Sequence, residues 1–241
     1  MLPMVKRLPP EGGRKADAVA RELMARIVGG EVAVGAILPK EEELEREFGV
    51  ARSVIREATK FLEVHKLVRP VRRRGTVVLD PRASLSPDVV ATFLTPRKGR
   101  VSREFLKGLL EVRRLLDVEM LSLAAQRRKP ADVRALKAAA DGMKEAAASS
   151  DPEAFEAAVL TFGLATAAAT HNPIYTMLVH WNAATVRDLA HVFAAIRSSP
   201  AQHAEAVAVI VAAIERGEVE AVRTLAAGFH DWAGPKLLAA L

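Results

Sequence analysis

The sequence predicts a mostly α protein: a winged helix-turn-helix followed by an all-helical bundle of about seven helices. Three observations carry that reading. Between Val50 and Leu79 a short amphipathic helix gives way to strand, basic turn and strand. From Arg103 onward apolar residues recur at three- and four-residue steps, and no segment alternates with period two. Between these regions Pro81, Pro87, Pro96 and Gly99 punctuate a stretch that reads as a hinge. The expected organisation is an arm over 1–13, a winged helix-turn-helix over 14–80, a linker with one short helix over 81–102, and a helical domain over 103–234.

The arm carries Pro3, Pro9, Pro10, Gly12 and Gly13. From Arg14 the pattern turns helical, with Val19, Ala20, Leu23, Met24 and Ile27 on one side and Gly29-Gly30 as the stop. KEEELEREF follows Leu38-Pro39 as a short helix with Leu44 and Phe48 inward, and Gly49 breaks it. Gly49-Val50-Ala51 then forms the turn into the next helix. On that helix Arg52, Arg56 and Lys60 fall on one arc at about 100° per residue, while Val54, Ile55, Ala58, Phe61 and Leu62 fall roughly opposite. Val71, then Arg72-Arg73-Arg74-Gly75-Thr76, then Val77-Val78-Leu79 read as a hairpin with a basic tip. A basic stripe alone is the ordinary pattern of a solvated face. Three consecutive arginines at a turn, however, repel one another without an anionic partner, and stripe plus tip together suit a DNA duplex.

Composition bounds the rest. Of 241 residues half are hydrophobic, so a sizeable core is available. There is no cysteine, which removes disulfides and thiolate chemistry and suits a reducing cytoplasm. No apolar run approaches the ~20 residues of a membrane-spanning helix, and Met1 to Arg7 lacks the apolar stretch of a secretory signal, so the expected location is cytoplasmic. The net charge of +6 is mild, but from Ala51 to Gly75 eight basic residues stand against two acidic ones.

The segment LPKEEELEREFGVARSVIREATKFLEVHKLVRPVRRRGTVV resembles the DNA-binding domain of GntR-type transcription regulators. The shared frame is Leu38-Pro39, Glu41, Glu43-Leu44, Phe48-Gly49-Val50, Arg52, Arg56-Glu57-Ala58, Leu62, Leu67-Val68 and Gly75-Thr76. The resemblance implies operator contacts from Arg52 and Arg56 and a minor-groove approach by the wing glycine. The candidate DNA-binding set is therefore Lys40, Arg52, Ser53, Arg56, Lys60, Arg72, Arg73, Arg74, Gly75 and Thr76. Two departures stand out. Glu42 occupies a position where the family usually has arginine, and the wing's usual Pro-Gly is here Arg72-Arg73. The run Glu41-Glu42-Glu43 reads most simply as a solvated helix start that complements the dipole.

In the helical region one stripe is expected from Phe105, Leu109, Val112, Leu116, Met120 and Leu123, and the next from Val133, Leu136, Ala140 and Met143. Asp151-Pro152, Asn172-Pro173 and Ser199-Pro200 are each a capping residue before proline, and Gly234-Pro235 is expected to end the last helix. An all-helical domain of this size resembles the FadR group of the GntR family, whose effector domain is called FCD. Leu110 to Leu116, Leu123-Ala124-Ala125, His171-Asn172-Pro173, Ala213-Ile214 and Gly217-Glu218 match its pattern. Many FCD domains hold a divalent metal with an aspartate, a histidine four residues later, and one histidine on each of two later helices. Those positions fall on Val159, Gly163, Val207 and Phe229, none of them a ligand. The resemblance thus implies a metal-free pocket with no cofactor, as in FadR itself, which senses an acyl-CoA without metal.

The candidate effector-binding residues are those four together with Arg113, for a carboxylate or phosphate, and Asn172, whose alternative is a helix cap. Plain core packing without a cavity is the alternative for the four. Gly163 is expected to widen the pocket. His171, His180, His191, His203 and His230 read as surface or capping histidines, since none lies three or four residues from another. No phosphate loop, nucleophile motif or catalytic residue is found, so an enzyme is not expected. The implied protein is a ligand-responsive transcription regulator of repressor type that binds palindromic operator DNA as a homodimer and takes a small-molecule effector of apolar or acyl type. The alternatives are an effector-independent DNA-binding regulator and a helical enzyme with a DNA tether.

Overall fold

The computed structural model describes residues 12–96, 100–149, 151–189 and 200–241, which fall into two compact units, the chain dividing between Ser102 and Arg103. Residues 1–11 of the arm expected over 1–13, His191 and the Ser199 cap lie outside the described residues. Gly12 and Gly13, expected in the arm, stand at the start of the first helix.

In the first unit, α1 (Gly12–Val28), α2 (Glu41–Phe48) and α3 (Arg52–Val64) are followed by the hairpin β1 (Val68–Val71) and β2 (Gly75–Val78) and by α4 (Pro87–Leu94). The apolar faces read from the sequence become one core. Val19, Leu23, Met24 and Ile27 of α1 meet Leu44 and Phe48 of α2 and Ile55, Ala58 and Leu62 of α3, closed by Leu67, Val68 and Val78. α2 stops where Gly49 takes φ +63, a left-handed turn that glycine adopts without a Cβ clash. The hairpin is antiparallel, with Val68 opposite Val78 and Val71 opposite Gly75. Residues 35–38 run along its outer edge, where the Leu38 amide donates to the Thr76 carbonyl and the Gly35 amide to that of Val78.

Residues 81–96 of the expected linker pack into this unit. Val89 of α4 joins the core, Leu94 is fully buried, and the Thr92 hydroxyl donates to Met24 Sδ at 3.0 Å.

The second unit is helical throughout its described residues: α5 (Arg103–Arg127), α6 (Pro130–Ser149), α7 (Pro152–Ala169), α8 (Pro173–Val186), α9 (Pro200–Arg216) and α10 (Val219–Ala239), with a 3-10 turn at Arg187–Leu189. The Asp151 carboxylate accepts from the Glu153 and Ala154 amides, and the Asn172 side chain accepts from that of Ile174; each caps a helix whose first residue is proline. The core gathers Leu121, Ala124 and Ala125 of α5, Leu136, Ala140 and Met143 of α6, Phe155 of α7, Ile210, Val211 and Ile214 of α9, and Val222 and Ala226 of α10.

Two expectations are corrected here. The expected α5 stripe holds only in part: Leu109 and Met120 are buried, but Phe105 and Val112 are exposed, and Leu106, Val118, Leu121, Ala124 and Ala125 are buried beside them. α5 is apolar on more than one side, so periodicity alone does not choose which side turns inward. The last helix also does not end at Gly234-Pro235 but runs through it to Ala239. Proline removes one amide from the ladder, yet burial of Ala233 and Leu237 on either side holds the turn.

Candidate functional site: a charged helix face and a helical-domain cavity

The exposed face of α3 carries Arg52, Ser53, Arg56 and Lys60, while Ile55, Ala58 and Leu62 turn into the core. Lys40 is exposed at the N-terminus of α2. The hairpin presents Arg72, Arg73 and Arg74 at its tip, all exposed, with Gly75 and Thr76 beginning β2. Arg73 takes φ +62, a left-handed conformation uncommon outside glycine, and Gly75 takes φ +107. A Cβ at Gly75 would lie 2.9 Å from Ile37 Cγ2, so this glycine is required both by its backbone and by its neighbour.

The acidic run at the start of α2 does more than complement a dipole. Glu43 supplies half of a capping box: its carboxylate accepts from the Lys40 amide at 3.0 Å, while the lysine side chain, a donor only, returns no bond. Glu41 reaches across to α3, where its Oε2 accepts from Arg52 Nε at 2.6 Å and its Oε1 lies 3.5 Å from Arg56 Nε. The hydrogen bond to Glu41, with its charge, holds the Arg52 guanidinium above its ordinary pKa.

Inside the second unit lies a mostly apolar cavity of about 640 Å³. Arg113, Val159, Gly163, Val207 and Phe229 all line it, although they come from four different helices. Asn172 does not: it is the α8 cap, and the binding role considered for it is corrected to that. Gly163 is not what makes the cavity wide. A Cβ there would sit 3.4 Å from Val179 Cγ1, so α8 already fills the space that the missing side chain leaves.

The wall also holds groups the sequence did not single out. His203 and His230, expected at the surface or as caps, both line the cavity. His203 lies between Phe155 and Phe229, with ring centroids 5.6 and 4.9 Å away. Asp117 Oδ2 stands 3.2 Å from His230 Nε2 and 3.8 Å from Arg113 Nη2, which gives a polar corner to a mostly apolar chamber. Tyr175, Trp181 and Asn182 of α8 complete one side. A signal for His203 existed, since it precedes Val207 by four residues and shares its face of α9. His171 instead bonds Asp132 at 2.9 Å, and His180 is exposed. Valine, glycine, valine and phenylalanine offer no donor atoms for a metal. Among the described residues no group of three or more His, Cys, Asp or Glu is placed to hold one.

A helix-turn-helix with a basic wing, joined in one chain to a helical unit hollowed by a ligand-sized cavity, defines a DNA-binding regulator of transcription. Residues 15–78 match the model of the bacterial regulatory proteins of the gntR family, and residues 108–229 match the FCD domain. The chain belongs to the GntR family, as a member carrying an FCD domain.

It is 30% identical over 167 residues to the galactonate operon transcriptional repressor of Escherichia coli, an alignment covering 68% of this chain and 70% of that protein. It is likewise 30% identical over 173 residues to an uncharacterised HTH-type transcriptional regulator of Mycobacterium tuberculosis, covering 72% and 69%. Among solved structures, the fold is shared with a protein described as controlling expression of the Listeria monocytogenes agr system. The TM-score is 0.63 at 20% identity, over 92% of this chain and 95% of that one. These relatives are regulators, not enzymes. No helix among the described residues is long and apolar enough to cross a membrane.

Proposed function

We propose that this regulator binds palindromic operator DNA as a homodimer and that a small molecule in the helical-domain cavity modulates its DNA affinity. Lys40, Arg52, Ser53, Arg56, Lys60 and the tip from Arg72 to Thr76 form the DNA face. A short α-helix with guanidinium groups on its exposed side fits the major groove, and the tip reaches the backbone or the neighbouring groove. One such helix reads too few base pairs for a genomic address, which is why two copies on a palindrome are the expected arrangement. The relative named as a galactonate operon repressor favours repression as the mode of action.

The observation that carries the effector half is the cavity itself. Val159, Gly163, Val207 and Phe229 converge on one chamber of about 640 Å³, the size of a small-molecule site, rather than on solid packing. Its walls call for an apolar or aromatic body. The Arg113–Asp117–His230 corner supplies a place for one charged or hydrogen-bonding group, with Arg113 meeting a carboxylate or phosphate. Binding there needs no metal.

The test runs in two stages on the full chain. The protein first selects duplexes from a random pool, which should yield an inverted repeat bound by a dimer in sedimentation. Octanoate, octanoyl-CoA and phenylacetate are then titrated against that complex, with wild type compared to Arg113→Ala and to Val159→Trp, which fills the chamber. At least one acid should release or tighten DNA with wild type and lose that effect in both variants. A monomer that selects no repeat defeats the first half. Probe binding unaffected by Val159→Trp defeats the second, as does tight stoichiometric metal in the helical unit.

A further inference from the structure

The carboxylate of Glu41 lies on the proposed DNA face, where a negative charge opposes binding to phosphates. Electrostatics alone would leave it out. Its two neighbours on the same turn have other roles or none: the Glu43 carboxylate accepts from the Lys40 amide, and the Glu42 side chain is exposed. Glu41 instead spans eleven positions of sequence to bond Arg52 Nε at 2.6 Å through one oxygen, while its other oxygen lies 3.5 Å from Arg56 Nε. One carboxylate therefore bridges two guanidiniums that sit four residues apart on α3, where like charges would otherwise repel.

The engaged atom matters. With Nε turned toward Glu41, the outer edge of Arg52, with Nη1 and Nη2, is left to project, and two parallel N–H groups are what arginine offers to guanine O6 and N7. A charge fixed beneath the pair also disfavours docking positions in which either arginine would swing onto a phosphate.

We infer that Glu41 is a specificity-determining positioning residue, which holds Arg52 and Arg56 as an aimed pair for base edges and penalises their use on the DNA backbone. This rests on the reading of α3 as the base-reading helix. It gives Glu41 a role opposite in sign to a simple affinity contact: its removal raises binding to the wrong DNA and lowers binding to the right one.

The experiment uses the full chain, the duplex that wild type enriches most from a random pool, and a shuffled duplex of the same composition. Affinities are read by fluorescence anisotropy between about 50 and 200 mM salt, the range over which phosphate contacts show most clearly. Glu41→Gln should tighten the shuffled duplex several-fold, weaken the selected one several-fold, and so cut their ratio about tenfold. It should also steepen the salt dependence on the shuffled duplex by up to about one unit. Glu42→Gln, which removes the adjacent charge without touching the pair, should change both duplexes alike and leave the ratio within twofold. Glu41→Asp keeps the charge but is too short to span both arginines, and should fall between Gln and wild type. It serves as the second variant should Gln fold poorly.

In the Glu41→Gln background, Arg52→Ala should reduce the ratio less than it does in wild type. A ratio within twofold of wild type for both Glu41 variants overturns the proposal, and so does an equal loss from Glu42→Gln. If wild type enriches no sequence at all, it is the base-reading role of α3 that fails, and the proposal falls with it.

Discussion

The two units place function on opposite sides of their packing. In the first, the candidate DNA contacts lie outside a closed core: Ile55, Ala58 and Leu62 of α3 are fully buried while Arg52 and Arg56 on the same helix face outward. In the second, the candidate ligand site is built against the core itself: Val207 belongs both to the main hydrophobic cluster and to the cavity wall, and Val159 packs against that cluster. An exposed binding face can change its chemistry without disturbing the fold. A binding chamber carved from the core cannot, because each lining side chain also supports its neighbours.

The sharpest way to break this contrast is at α3. Arg56→Ala is expected to weaken binding to a selected operator ten- to hundredfold, the range of one good arginine–guanine contact, and random DNA much less. Its thermal unfolding should match wild type, because the side chain is exposed and only loosely paired, 3.5 Å from Glu41. Anisotropy titrations beside a melting curve read both numbers. Equal losses on both DNAs would turn Arg56 into a phosphate contact.

The opposite profile is expected at Val207, which is 4% exposed. Val207→Ala should cost about 1–2 kcal/mol of stability, in proportion to the buried methyls removed. It should leave the DNA affinity of the ligand-free protein unchanged and alter the affinity for any cavity probe. Denaturant unfolding followed by helical content, beside the same anisotropy assay, measures all three. An unchanged unfolding midpoint would mean that the chamber lies apart from the core.

The same contrast explains what the sequence showed. The first unit was legible because its helices each have one apolar side. Leu44 and Phe48 could go only inward, and Arg52, Arg56 and Lys60 only outward. In the second unit, α5 has leucines and valines around much of its circumference, so the pattern found Leu109 and Met120 but put Phe105 and Val112 inward in place of Leu106 and Val118. The proline-led starts of α7 and α8 could be read because their caps are local chemistry. His203 and His230 could not be placed on the cavity wall, since that depends on how α9 and α10 sit against α5 and α7. Glu41 was hidden for a related reason: its partners lie eleven and fifteen positions away on another helix, and local pattern assigned it to the dipole.

A smaller effect sharpens the comparison at the wing, where folding and binding pull apart at one residue. Arg73 is held at φ +62, which costs a non-glycine side chain about 1 kcal/mol or slightly more. Arg73→Gly should relieve that, and after the greater freedom glycine gains in the unfolded chain the net gain should be small, up to ~0.5 kcal/mol. The same change removes a positive charge from the tip. It should weaken selected and random duplexes alike, by severalfold at low salt, and flatten the salt dependence by about one unit. A variant that is more stable and yet binds both duplexes less well is the expected outcome. Loss confined to the selected duplex would instead place Arg73 on a base edge.

The smallest effect lies at the rim of the chamber, where Arg114 Nε donates to Asp231 Oδ1 at 2.8 Å and Nη2 to Oδ2 at 3.2 Å. The hydrogen bond from Arg114 holds the Asp231 carboxyl below its usual range, with further help from the Arg114 and His230 charges. A carboxyl whose pKa is depressed by folding adds stability above its unfolded value, and that stability disappears as pH falls through the folded value. The wild type should therefore be slightly more stable than Asp231→Asn at neutral pH, and the gap should close on acidification below the ordinary carboxylate range. The gap should be small at any pH and shrink further in salt, because Asp231 is 61% and Arg114 40% exposed and solvent screens both. Thermal melts of the two proteins from pH 7 to pH 3, at low and high salt, test the sign. A gap that widens toward acid would mean that the pair holds a proton rather than a charge, and that the chamber's rim is drier than its exposure implies.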